Sequence, residues 1–177
     1  MDPGSPTQAL FLGGRSGVGK STVALEASRI LAAADVAHAL IEGDGLDQAH
    51  PEPWQRGIPL AERNLAALWR NYREAGWTRV IYTNTVSVLE LPGLTAALGG
   101  EVDAVGVLLT ADDATAASRL AGREIGSGLA ESIARSAAAA PRLEAEAADA
   151  VHRVATDGRT VADVAAEVVA LSGWFPD

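Results

Sequence analysis

The sequence predicts an α/β fold in three layers, α/β/α, with helices covering both faces of a five-stranded parallel sheet. Three observations predict it. A short apolar run at 9–13 leads through a glycine-rich loop into a helical pattern. Apolar runs of strand length then alternate with helical periodicity down the whole chain. Nothing like a linker or an internal repeat divides the 177 residues, so a single domain over 1–177 is expected.

Each element has its own local reason. Ala9-Leu10-Phe11-Leu12-Gly13 is continuously apolar, as a strand buried on both faces must be. Val23, Ala27, Ile30, Leu31 and Ala34 recur at helical spacing after the loop. Residues 36–42 read as a second strand ending in Gly43-Asp44-Gly45, followed by a loop with Pro51, Pro53 and Gly57. Pro59 opens a helix over 60–75 with Leu65, Leu68, Trp69 and Tyr72 on one face, and Gly76 closes it. A third strand over 79–84, a partly helical stretch over 86–98 and a fourth strand over 103–109 follow. A helix is expected over 112–120, then a largely helical 129–149 with a break or bend at Pro141, which lacks a backbone N–H. The fifth strand covers 151–155. The last helix, over 160–171, turns Val161, Val164, Ala165, Val168 and Leu171 inward, and Trp174 and Phe175 tuck back behind it. Residues 1–7 are rich in Pro, Gly and Ser and read as a frayed end.

Composition excludes several classes. The chain has no cysteine, hence no disulfide framework, thiolate chemistry or cysteine zinc site, and His38, His50 and His152 lack metal-ligand spacing. A formal charge of −9 disfavours nonspecific binding to nucleic acid or to an anionic membrane. The start carries no basic segment followed by an apolar one, and no apolar run approaches membrane-spanning length. A cytoplasmic protein, monomeric or homodimeric, is expected, with a small molecule as partner and neither nucleic acid nor membrane.

The chain's lone lysine stands in the run Gly14-Arg15-Ser16-Gly17-Val18-Gly19-Lys20-Ser21, which fits G-x-x-x-x-G-K-[ST], with Thr22 behind it. This is the P-loop pattern, set here between a strand and a helix as it requires. Glycines let the backbone curl with its N–H groups inward, and the helix adds its positive end, so phosphate oxygens meet a ring of donors. Lys20 is expected to reach the β- and γ-phosphates of ATP, and Ser21 to offer its hydroxyl to the Mg²⁺ that bridges them. Arg15, inside the loop, either touches phosphate or faces water.

In a parallel sheet, ligands bind at the carboxyl ends of the strands. That rule gathers Asp44 after strand two, Thr83 and Asn84 after strand three, and the segment 119–128 after the helix that follows strand four. Asn/Thr-Lys-x-Asp, which reads guanine, is impossible with the lysine already used, and the Leu-Ser-Gly-Gly-Gln signature of ABC ATPases is absent. Thr83-Asn84 stands where many NTPases carry a Walker B acid. A small phosphotransferase remains.

Glu42-Gly43-Asp44-Gly45-Leu46, His50-Pro51, Gly57-Ile58-Pro59-Leu60 and Glu62-Arg63 together resemble the corresponding region of gluconate kinases. Glu62-Arg63-Asn64 is also similar to adenylylsulfate kinases, and Ser118-Arg119-Leu120 with Arg123 is similar to the lid of the same group. The chain departs from that pattern where Ala61-Glu62-Arg63-Asn64 replaces the acidic run of gluconate kinases, and where Gly122, Gly126 and Gly128 break a shortened lid. The resemblance, to the P-loop small-molecule and nucleoside monophosphate kinases, implies a P-loop kinase fold with a short lid over 119–128. It also implies ATP- and Mg²⁺-dependent transfer of the γ-phosphoryl group to a hydroxyl, or to a phosphate, of a small metabolite. An antibiotic-modifying phosphotransferase and a nucleotide-gated ATPase switch fit the same residues.

Asp44 is the candidate general base or metal-bound carboxylate, with Glu42 and Asp47 as fallback acids. Arg119 and Arg123, four apart on one helical face, are expected to close over the nucleotide and offset charge on the transferring group. Thr156 and Asp157 are placed at the edge of the adenine site through their backbone. Arg56, Arg63, Arg70 and Arg73 fall in the acceptor region, and Arg63 is favoured as an acceptor clamp because the resemblance falls on it. Trp54 and Trp69 are either pocket walls or core. Residues 136–140, with Glu144, Glu146 and Asp149, read as a helix with a solvated face and no functional role.

Overall fold

Continuous burial is what the apolar runs require, and a parallel sheet provides it. The computed structural model describes residues 5–122 and 128–175. In chain order it holds β1 (Thr7–Gly13), α1 (Lys20–Ala33), β2 (Ala39–Glu42), α2 (Leu60–Glu74), β3 (Arg79–Thr83), α3 (Leu91–Leu98), β4 (Val102–Thr110), α4 (Asp113–Ala121), α5 (Leu129–Glu146), β5 (His152–Ala155) and α6 (Val161–Ser172). The strands lie side by side as β2-β3-β1-β4-β5, every neighbouring pair parallel. β1 is therefore central, and the loop leaving it opens where the strand order reverses.

Alternation along β1 assigns the layers. Leu10 and Leu12 join Ile81, Val107, Leu109 and Val154 beneath α1 and α6. Ala9 and Phe11 join Val80 and Tyr82 beneath α2 and α3, with the Phe11 and Tyr82 rings edge to face at 5.8 Å. Leu108 meets Leu143 of α5 in a third cluster.

Several boundaries differ from expectation. Thr7, expected in the frayed end, is 3% exposed as the first residue of β1: its amide donates to the Glu101 carbonyl, and its hydroxyl accepts from the Trp69 indole at 3.2 Å. A polar residue in a Pro/Gly/Ser-rich context hides a strand start that only its partners reveal. β2 is confined to Ala39–Glu42, and the helical part of 86–98 to Leu91–Leu98. Of the break or bend expected at Pro141, the break is not there: α5 runs through it, with Ser136 buried on one side and Leu143 on the other. Trp174 is buried as expected, whereas Phe175 and Leu68 are 44% and 38% exposed.

Candidate active site

The glycine loop is built as its motif demands. Gly14, Gly17 and Gly19 all take positive φ. At Gly17 the demand is also steric, since a Cβ would lie 2.5 Å from the Ala116 carbonyl oxygen of α4. α1 then starts at Lys20 with no side chain capping its first amides. Those N–H groups have no partner within the helix, which leaves this end electropositive. Lys20 is buried, and its ammonium donates across the loop to the Arg15 carbonyl at 3.3 Å.

The Arg15 side chain does not face water. It is 3% exposed, pairs with the Asp113 carboxylate and donates to the Ala111 carbonyl at 2.8 Å. It fastens the loop to the junction of β4 and α4. A second tie comes from α5, where the Ser136 hydroxyl donates to the Ser16 carbonyl at 2.7 Å.

Beside the loop lies a cavity of about 310 Å³, bounded by Gly17, Val18, Gly19, Thr22 and Val23, by Arg119 and Gly122, and by Thr156 with the head of α6. Arg119 forms one wall of this cavity. Its guanidinium donates to the Val18 carbonyl at 3.2 Å, to the Thr156 hydroxyl at 2.9 Å and to the Thr156 carbonyl at 3.1 Å. Arg123 and Gly126, expected in the lid, lie outside the described residues. Val161, expected inward, is 42% exposed because it lines this cavity together with Arg159 and Val164. Thr156 borders the cavity, but the Asp157 carboxylate is engaged elsewhere, accepting the Asp112 amide at 3.1 and 3.2 Å. Asp112 in turn caps α4 through the Thr115 amide at 2.6 Å, and hydrogen bonds from Thr115 hold its carboxyl below the usual range.

On the other side of the loop a wider cleft, about 670 Å³, runs between Asp47, Trp54, the head of α2 with Glu62, residues 84–86, Glu90 and Arg142. Asp44 lies on a single 3-10 turn after β2 and is not itself part of the cleft lining. Gly43 is needed there because a side chain would collide with the Tyr82 hydroxyl. Burial pushes that phenol well above its usual range, opposed by a hydrogen bond with Asn84, so it stays neutral beside the acid. Asp44 is exposed, and its carboxylate accepts the Thr85 amide at 3.4 Å. Thr85 lines both this cleft and a smaller cavity of about 260 Å³ that Ser16 of the loop shares with Ser132, Arg135 and Ser136 of α5. Asp44 thus sits at the seam between the two.

Arg63 is not brought to the cleft. It is exposed, and its neighbour Glu62 lines the wall instead, because one residue turns a helix by about 100°. Arg70 is likewise exposed, and Arg73 donates to the Ser5 carbonyl at 2.9 Å. Trp69 is core at 1% exposure, whereas Trp54, 60% exposed, is a cleft wall. Desolvation raises the Glu90 carboxyl above its usual range, with repulsion from Glu62 and Asp47 adding to it and Arg142 opposing.

Thr83 ends β3 on the face it shares with Ile81, under α1, and its buried hydroxyl has no hydrogen-bond partner. Among the described residues no three His, Cys, Asp or Glu side chains are grouped to hold a metal ion.

No protein-family model matches the chain, and no curated protein matches it by sequence. Solved structures do match by shape. A gluconokinase from Sinorhizobium meliloti 1021 aligns over 95% of this chain and 92% of its own, with 23% identity and a TM-score of 0.57. The tunicamycin resistance protein of Deinococcus radiodurans aligns over 94% and 96%, with 20% identity and a TM-score of 0.60. The APS kinase CysC of Mycobacterium tuberculosis, in complex with AMPPNP and APS, aligns over 94% and 96%, with 20% identity and a TM-score of 0.52. The fold is that of the P-loop kinases. The neighbours include the two kinds of kinase that the motifs resemble, a gluconate kinase and an adenylylsulfate kinase.

On this P-loop kinase fold the sequence reading missed the contribution of α5. Ser136, set aside in an alanine-rich stretch, clasps the loop, while Arg135 and Arg142 reach the two cavities. One signal was present: small residues at 136–140 let a helix approach another backbone closely. Glu90 and Arg159 carried no local signal at all.

Proposed function

We propose that the protein is an ATP-dependent small-molecule kinase that transfers the γ-phosphoryl group to a hydroxyl of a metabolite. The observation that carries this reading is Asp44, a carboxylate at the seam between the glycine-loop side and a second, wider cleft. The uncapped end of α1 and the loop amides suit the phosphates, and the cavity walled by Arg119 suits the base. In the transfer, the acceptor oxygen bonds to the γ-phosphorus as the bond to the ADP oxygen breaks, and the hydroxyl proton passes to Asp44. Lys20, on the loop, and Arg135, which borders the cavity shared with Ser16, would offset the charge on the transferring group. Alignment and charge stabilisation are the main sources of rate.

Magnesium fits the residues present. Ser21 at the head of α1 and the partnerless Thr83 hydroxyl are oxygen donors of the kind this ion takes, and Asp44, beside Thr85, would supply a carboxylate. When bound with the nucleotide it would neutralise charge between the β- and γ-phosphates.

A second reading, an antibiotic-modifying phosphotransferase, is favoured by the structural likeness to a tunicamycin resistance protein. Both readings share the chemistry and differ in the acceptor. The test is a metabolite and antibiotic screen with ATP and magnesium, read as the mass gain of one phosphoryl group. Transfer to an antibiotic in preference to metabolites selects the second reading. Failure of calorimetry to show heat with ATP, GTP or their diphosphates would remove both.

A further inference from the structure

We propose that the wide cleft takes an acceptor bearing a protonated amine near the hydroxyl to be phosphorylated, with a ring or apolar portion seated on Trp54. This rests on the kinase reading, which makes the cleft an acceptor site through its junction with Asp44 and Thr85.

Among the described residues, Asp47, Glu62 and Glu90 line one cavity against the single cation Arg142, and Asp44, outside the lining, accepts the amide of the lining residue Thr85. Arg142 is itself engaged, its Nε donating to both Glu146 carboxylate oxygens at 3.2 and 3.1 Å. Arg56, Arg63 and Arg70, which could clamp an anion, are exposed and stand outside the lining. An anionic acceptor such as gluconate would meet like charge in a partly desolvated space, and like-charge juxtaposition is strongly unfavourable there. Desolvation comes first in raising the Glu90 carboxyl, and repulsion from Glu62 and Asp47 adds to it. An ammonium group would relieve it.

A different observation points the same way. Trp54 is 60% exposed on the cleft wall beside Ile58 and Leu60, whereas Trp69 is buried at 1%. An open indole face binds apolar rings and attracts cations through its quadrupole. Carboxylates around an amine also keep it protonated and therefore non-nucleophilic. The oxygen, not the nitrogen, then attacks: the O–P bond forms, the bond to ADP breaks, the hydroxyl proton leaves through Asp44, and the ammonium is unchanged.

The experiment uses the full chain with ATP and magnesium and three acceptor sets of matched size: amino sugars and amino alcohols including glucosamine, their neutral counterparts including glucose, and hydroxy acids including gluconate. ADP formation and product mass are read together. The amine set is expected to show a kcat/KM advantage of about ten-fold or more over its neutral counterparts, the scale of one charge-assisted hydrogen bond. Glu62→Gln and Glu90→Gln should raise the amine KM about ten-fold with kcat near wild type, and added salt should raise the wild-type KM. Equal or better use of the neutral or acidic set overturns the proposal, as does failure of every amine while ATP still binds. Loss of ATP binding itself overturns the kinase reading instead.

Discussion

The cavity beside α6 and the cleft under Trp54 flank the same loop but are held in different ways. The first is enclosed by backbone turns and by Arg119, whose guanidinium spans Val18 and Thr156. The second is lined by carboxylates and by an indole that stands open to solvent. Main-chain amides and a fixed arginine present the same donors whatever the rest of the chain does, so they suit a ligand common to many proteins. Carboxylates drawn from three separate segments suit one particular molecule. On the proposed function, the nucleotide side is the general half of this site, and the acceptor side is the specific half.

Four substitutions sharpen or break that division. Lys20→Ala removes the ammonium from the general half and should lower phosphoryl transfer by about 10³-fold or more, measured by steady-state kinetics, with far-UV circular dichroism unchanged. Asp44→Asn acts at the seam: kcat should fall by about 10²- to 10⁴-fold while calorimetric nucleotide affinity is retained. Normal activity in that variant would remove Asp44 as the base. Arg119→Ala should raise the nucleotide KM about ten-fold and leave the acceptor KM unmoved. An equal rise in both would show that the halves are not separable.

The smallest effect is on stability. Glu90 is an acid whose folded pKa lies above its unfolded value of about 4.3, so its contribution to stability is present below that value and lost as pH rises through the folded one. Glu90→Gln should therefore melt at a higher temperature than wild type at neutral pH, with the gap closing by about pH 4. The gap is small because part of the side chain faces water. Melting curves at the two pH values check it, and a lower melting temperature for the variant at neutral pH would contradict the crowding of carboxylates in the cleft.

Legibility followed the same division. Gly17 and Lys20 were readable because the motif is contiguous: a few neighbouring residues dictate both the turn and the helix start. The place of Asp44 after β2 was readable because strand ends share one edge of a parallel sheet. Arg63 misled because Glu62 and Arg63 differ by one helical step, and only packing decides which of them faces the cleft. Arg15 lies within the motif, yet its side chain answers to Asp113, 98 positions away.

By itself, then, the sequence determined the order of strands and helices and the phosphate-binding loop, because spacing and glycine placement act over a few residues. Only the tertiary structure decided what surrounds the acceptor. Trp54, Glu90 and Arg142 come from the segment after β2, the segment after β3 and α5, and they line one cleft. Such a meeting depends on helix rotation and strand order, which no local pattern encodes.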